Sequence, residues 1–173
     1  RVSSREWFLS VNKTVSQTDE SNLFMVGVST GALVSIDVAA RKKLSGIVLI
    51  STPIRFKDKR IKHAGILKYI RRNYERDISP GQEEYYYQNF PLESLEELYD
   101  YSQKVRKNVG NVTEPALIIQ SKNDPIVEYD SAQYLYDNLG SEDEEIIWLN
   151  TKHHVPIIKY RNGTKDYEEH REQ

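Results

Sequence analysis

The sequence predicts an α/β fold, a mostly parallel sheet flanked by helices, and three observations carry that expectation. Four short apolar runs, Leu23–Val26, Gly46–Ile50, Ala116–Ile119 and Glu145–Leu149, lack the strict polar alternation of a half-exposed strand and read as strands buried on both faces. Segments with helical apolar spacing alternate with them. The 173 residues are 38% apolar and 29% charged, an ordinary globular composition long enough for one domain over residues 1–173 with a buried core.

The elements follow in order. Residues 2–16 place Trp7, Phe8, Val11 and Val15 on one helical face, and the polar stretch Gln17–Asn22 reads as a loop. The strand Leu23–Val26 leads directly into Gly27-Val28-Ser29-Thr30-Gly31, after which Leu33, Ile36 and Ala40 resume helical spacing. Gly46–Ile50 is rich in β-branched residues. Pro115 introduces the strand Ala116–Ile119, the helix Ser131–Leu139 carries Ala132, Leu135, Tyr136 and Leu139 on one side, and Glu145–Leu149 is the last strand. The acidic segment Asp166–Gln173 reads as part of a terminal helix.

The interval from about 54 to 114 breaks this rhythm and reads as a helical insertion. One helical pattern contains Ile66, Leu67, Ile70 and Tyr74, and the other Leu92, Leu95, Leu98, Tyr99 and Val105, with Pro80-Gly81 between the halves.

Composition excludes several classes of function. A formal net charge of −2 gives no general electrostatic reason to bind nucleic acid or an anionic membrane. The absence of cysteine removes disulfides, thiolate metal sites and a cysteine nucleophile, and fits a reducing, cytoplasmic setting. No apolar run approaches the ~18 residues of a membrane span. The chain begins at Arg1 and its first residues already read as helix, so the expectation is that natural N-terminal residues precede it.

The order strand, sharp turn, helix around Gly27-Val28-Ser29-Thr30-Gly31 is the context that gives Gly-x-Ser-x-Gly its meaning as a nucleophile elbow. The serine occupies a tight, strained turn, so its flanking residues are expected to be small. The N–H of the residue after it, Thr30, then faces a developing oxyanion at the positive end of the following helix. The alternative reading of Ser29 is an N-cap at an ordinary strand-helix junction.

A serine hydroxyl needs a base within hydrogen-bonding reach, and the base needs a carboxylate to fix its tautomer. In the α/β-hydrolase fold the chain order is Ser, Asp or Glu, then His, with each residue after a strand. Asp124 meets that test after Ala116–Ile119, although Asn-Asp-Pro is also good turn chemistry. Asp130 is a rival that reads better as the cap of the next helix. His154 follows the last strand, with His153 a competitor for the same role, while His63 and His170 read as solvated. Adjacent histidines without further ligands at suitable spacing are a weak metal signal, so no metal or other cofactor is expected. The interval between Ser29 and Asp124 leaves room for a lid, and the shorter one to His154 accommodates a helix and a strand.

Over nearly its whole length the chain resembles the bacterial carboxylesterases and monoacylglycerol-lipase-like members of the α/β-hydrolase superfamily. The residues concerned are Gly27–Gly31, Gly46–Ile54, Pro115–Asp124, Asp130–Tyr136 and His154-Val155. The resemblance implies Ser29 as nucleophile, Asp124 as acid, His154 as base, and the inserted region as a small helical lid over an acyl site. His153 stands where the family usually has glycine, and Ala32 where many members have a further glycine. In that family the sheet begins with strands earlier in the chain, and a His-Gly loop there supplies the second oxyanion donor. The resemblance therefore implies a fragment lacking the first strands.

The readings point to hydrolysis of small acyl esters through an acyl-enzyme, and the resemblance to esterases implies a short or medium acyl chain, with monoacylglycerols among the candidate substrates. Acyl transfer would use the same residues, and a non-catalytic interaction module of this fold is the other alternative. The cationic run Arg55–Lys62 reads as a solvated lid hinge, Tyr85–Tyr87 as aromatic packing of lid on body, and Ser141–Glu145 as an acidic loop without calcium-site spacing. Acyl length, alcohol group and oligomeric state are not encoded in any of these patterns.

Overall fold

The computed structural model describes residues 3–18, 22–75 and 89–156. Pro80-Gly81, Tyr85–Tyr87, His170 and the expected terminal helix at 166–173 lie outside them. The described chain runs α1 (Ser4–Gln17), β1 (Phe24–Val28), α2 (Thr30–Ala39), β2 (Gly46–Ile50), a 3-10 turn at Lys59–His63 and α3 (Ala64–Leu67). It continues through β3 (Asn73–Glu75), β4 (Asn89–Pro91), α4 (Leu92–Arg106), a 3-10 turn at Val109–Asn111, β5 (Ala116–Ser121), α5 (Asp130–Asn138) and β6 (Glu144–Leu149).

Local chemistry starts the first helix where it does. Ser3 and Glu6 form a capping box: the Ser3 N–H donates to Glu6 Oε2 at 2.6 Å, and the Glu6 N–H donates to Ser3 Oγ at 3.4 Å. The Ser3 N–H, and after it the Ser3 hydroxyl, donate to the Glu6 carboxylate and hold it below its ordinary range. Trp7, Phe8, Val11 and Val15 then pack on the core as their spacing predicts.

The sheet has the order β1-β2-β5-β6 and every pairing is parallel. Val26, Val48, Leu117 and Glu145 lie at one level across it, so side chains of one parity share a face. Ile47, Leu49, Ala116 and Ile118 are buried beneath Leu33 and Ile36 of α2, Tyr101 and Val105 of α4, and Leu135 of α5. Phe24, Val26 and Ile147, on the other face, are exposed. Among the described residues the helices therefore flank one face, although the apolar strands predict burial on both.

A buried carboxylate links two of these helices. Asp37 of α2 accepts from Arg41 at 2.9 Å, from Lys104 of α4 at 3.3 Å and from the Tyr101 hydroxyl at 3.2 Å. Two cations and a hydroxyl make its complete burial tolerable. Burial, with the Asp37 charge beside it, pushes the Tyr101 phenol well above its ordinary range.

The interval 54–114 differs from its helical reading in one half. Leu92–Val105 is helical as its pattern predicts, within α4. Ile66 and Leu67 lie in the short α3, but Tyr74 belongs to β3 and pairs with Phe90 in an antiparallel ladder. The apolar spacing of Ile66, Ile70 and Tyr74 is shared by a helical turn that passes into a strand, so spacing alone does not mark where the helix stops. Among the described residues no helix is long and apolar enough to cross a membrane.

Candidate active site

Ser29 stands at the junction of β1 and α2 with φ 52° and ψ −121°, a left-handed region that L residues occupy only when the surroundings hold them there. Two backbone bonds pin it. Its N–H donates to the Ile50 carbonyl at 2.8 Å, and its carbonyl accepts the Ala32 N–H at 2.9 Å. The turn is so tight that a Cβ on Gly27 would lie 2.5 Å from Ala32 Cα and 2.7 Å from the Gly31 carbonyl oxygen. Gly27 is thus sterically required. Gly31 is not: a Cβ there would meet nothing within 4 Å, so the expectation of a small residue on both sides holds only on the strand side.

The long-range folding of the chain brings the other predicted residues to this turn. His154 Nε2 lies 2.8 Å from Ser29 Oγ, and His154 Nδ1 lies 2.8 Å from Asp124 Oδ2. Of the two adjacent histidines it is His154 whose ring lies between the serine and the carboxylate. Asp124 is fully buried and His154 nearly so. An ionised, buried carboxylate is costly unless donors surround it. Here Oδ1 accepts the N–H groups of Ile126 at 2.8 Å and Val127 at 2.9 Å, and Oδ2 accepts Gln120 Nε2 at 3.3 Å. The turn chemistry of Asn-Asp-Pro and the reach to His154 are therefore both real, carried by one side chain.

Thr30 opens α2 directly after the serine. The first N–H groups of a helix have no intrahelical acceptor, which leaves that of Thr30 available to an anion at the helix end.

Two supporting residues escape a sequence reading. Gln120 donates to Asp124, and the buried Ser121 hydroxyl donates to the His153 carbonyl at 2.7 Å, tying the end of β5 to the loop that carries His154. Their position at a strand's carboxyl edge beside Asp124 is the signal that marks them. Ser51 also adopts a positive φ, 50°, at the end of β2 and is buried.

The remaining candidates fall elsewhere. Asp130 does not cap its helix: it is the first residue of α5, Tyr129 is the N-cap, and the carboxylate pairs with Arg55. Ion-pairing to a guanidinium outcompetes the cap because Arg55 is anchored alongside by Ser131, whose Oγ accepts the Arg55 N–H at 3.0 Å. His63 is exposed beside α3. No group of three or more His, Cys, Asp or Glu among the described residues is arranged to hold a metal ion. A depression lined by Thr113, Pro115, Gly140 and Ser141–Asp143 precedes β5 and β6, at the edge of the sheet opposite Ser29.

Comparison with known proteins identifies the family of the chain. A family model described as serine aminopeptidase, S33, matches residues 59–158, a span that includes Asp124 and His154 and leaves out Ser29. The chain is 28% identical over 134 residues to a carboxylesterase of Bacillus subtilis (strain 168), covering 75% of this chain and 54% of the relative. It is 22% identical over 166 residues to a thermostable monoacylglycerol lipase of Bacillus sp. (strain H-257), covering 92% of this chain and 66% of the relative. The chain thus spans between about half and two thirds of the length of these relatives. Among solved structures, one from work on the metagenome-derived lipolytic enzymes LipS and LipT aligns with a TM-score of 0.78 at 22% identity, over 88% of this chain and 66% of that one. At that identity the likeness shows a shared fold.

Proposed function

Because this chain belongs to the family described as serine aminopeptidase, S33, within the α/β-hydrolases, we propose that it is the triad-bearing part of a serine hydrolase acting on carboxylic esters. The observation that carries the reading is the continuous Ser29–His154–Asp124 hydrogen-bonded array, with both links at 2.8 Å. Relatives described as a carboxylesterase and a monoacylglycerol lipase support esters as the substrate class.

In this proposal Ser29 Oγ attacks the acyl carbonyl while His154 Nε2 takes its proton. Asp124 accepts from Nδ1–H, holds the productive tautomer and stabilises the imidazolium. The Thr30 N–H faces the oxyanion. His154 returns the proton to the departing alkoxide, and the acyl-enzyme is then opened by water that His154 activates in turn. We assign short- to medium-chain acyl esters as substrates and the interval 54–114 as the cover of the acyl site. Its second half has a firm anchor, since Tyr101 and Val105 of α4 are buried against α2.

The test is hydrolysis of p-nitrophenyl acetate and butyrate by the full-length natural protein beside its Ser29→Ala variant, with fluorophosphonate labelling of both. Loss of at least about a thousandfold in turnover and of all labelling in a folded variant is the expected result. An inactive, unlabelled wild type would turn the reading toward a non-catalytic module. Acyl transfer would appear as product captured by an added alcohol in preference to water.

A further inference from the structure

The whole-chain net charge of −2 conceals a strong local asymmetry. Residues 57–72 carry seven lysines and arginines against the single carboxylate of Asp58. Three of those cations are paired: Lys59 with Glu128, Arg60 with Asp58, and Lys68 with Glu96. Lys62, Arg71 and Arg72 have no carboxylate within ion-pair distance among the described residues.

The same segment exposes apolar side chains in a pattern. The backbone keeps helical bonding past the end of α3, with Tyr69 N–H donating to Ile66 O and Arg71 N–H to Leu67 O. Ile66, Tyr69 and Ile70 therefore stand at i, i+3 and i+4 on one face, and they are 68%, 84% and 79% exposed. Ala64, on the opposite side, is buried, and α3 packs on α4. Lys62 lies four residues before Ile66 in the preceding 3-10 turn, and Arg71 and Arg72 follow Ile70 directly. Isolated exposed apolar residues need no explanation, but the three most exposed large apolar side chains among the described residues, on one short helical face beside cations that have no carboxylate partner there, do.

We propose that this face docks the protein on an anionic phospholipid surface. Two aliphatic side chains and an amphipathic tyrosine project outward, the composition that enters the boundary between headgroups and acyl chains. Lys62, Arg71 and Arg72 sit where lipid phosphates would meet them, and long basic side chains extend along such a surface with their charge in the headgroup layer. A protein partner fits less well. A stable protein interface buries on the order of 800 Å² per partner around a packed core, whereas this face offers three apolar side chains on one helical turn. The proposal rests on exposure and charge and stands whether or not the Ser29–His154–Asp124 array hydrolyses esters.

The full chain is sedimented with vesicles of phosphatidylcholine alone and with vesicles containing about one third phosphatidylglycerol, at low and at physiological salt. Binding to the phosphatidylglycerol vesicles that weakens with salt is the expected result. Each basic residue at such a surface contributes about fivefold, so Arg71→Gln/Arg72→Gln should bind roughly twentyfold more weakly. Ile66→Ser/Ile70→Ser should weaken binding as well. All four side chains are exposed, so both variants should keep wild-type far-ultraviolet circular dichroism and Tm. Absence of binding to phosphatidylglycerol vesicles, or equal binding by both variants, would overturn the proposal. So would capture of soluble polyglutamate as tight as that of vesicles and indifferent to Ile66→Ser/Ile70→Ser, which would assign the face to an acidic protein.

Discussion

His154 Nε2 lies 2.8 Å from Ser29 Oγ although 125 residues separate the two in sequence. The contact forms because β1 and β6 end at the same edge of one parallel sheet, and the loops leaving them face each other across β2 and β5. Everything proposed about the chemistry depends on that convergence.

Replacing one histidine at a time should separate the two neighbours. His154→Ala is expected to lower kcat for p-nitrophenyl butyrate by about a thousandfold or more, because it removes the base proposed for Ser29. His153→Ala keeps the backbone carbonyl that accepts from Ser121 and should stay within about tenfold of wild type. Equal losses in the two variants would remove His154 from its assigned role.

Asp124→Asn tests the carboxylate without changing its shape. The amide cannot hold Nδ1–H of His154 in the productive tautomer, and an effect of about 10⁴ on kcat is the scale for this substitution in a serine triad. Fold should survive, since the amide oxygen can still accept the N–H groups of Ile126 and Val127. Steady-state kinetics and a urea midpoint on one preparation distinguish lost chemistry from lost structure.

The two glycines of the elbow should respond differently to a methyl group. Gly27→Ala forces contact with backbone atoms of Gly31 and Ala32 and should cost about 1–3 kcal/mol, the range for overpacking. Gly31→Ala meets open space within a helix, where alanine is favoured over glycine by up to about 1 kcal/mol. Chemical denaturation of both variants reads the difference, and equal destabilisation would mean that the turn is not packed as described.

Acid should reveal the Asp58 cluster. The Arg60 guanidinium beside it, with the Arg60 N–H and the Tyr74 hydroxyl, holds the Asp58 carboxyl at about 2, below the 3.8 of a free aspartate. A depressed folded-state value contributes stability that is present above about pH 4 and lost as pH falls through about 2. Asp58→Asn should therefore unfold at lower urea than wild type at pH 5, and the gap should narrow steadily as the pH is lowered toward 2. The pair is partly solvated, so the gap at pH 5 should be small. A gap independent of pH would show that packing, not charge, distinguishes the variants.

Much of the site is legible in the residues because its requirements are local. A strand, a serine between glycines and a helix must follow one another for Ser29 to sit in a strained turn, and each is visible as a pattern a few residues long. The boundaries move by a residue or two: the last strand begins at Glu144, and the helix before it at Asp130. What escaped local patterns involved competition between partners. Asp130 has the look of a cap yet pairs with Arg55, and Gln120, beyond the predicted strand Ala116–Ile119, belongs to β5 and donates to Asp124. Tyr74 fits a helical stripe, but its partner Phe90 lies across a chain reversal that spacing does not encode.

By itself, then, the sequence determined the alternation of buried strands and helices, the elbow at Ser29 and the short set of acids and histidines able to serve it, because these follow from side-chain period, backbone strain and residue chemistry. Tertiary structure decided that His154 and not His153 faces the serine, that Gly27 is sterically required where Gly31 is not, and that Ile66, Tyr69 and Ile70 stand exposed together beside α3. The physical reason is common to all three. Each depends on which way a side chain points and on what stands opposite it, and that is set by packing between segments far apart in the chain.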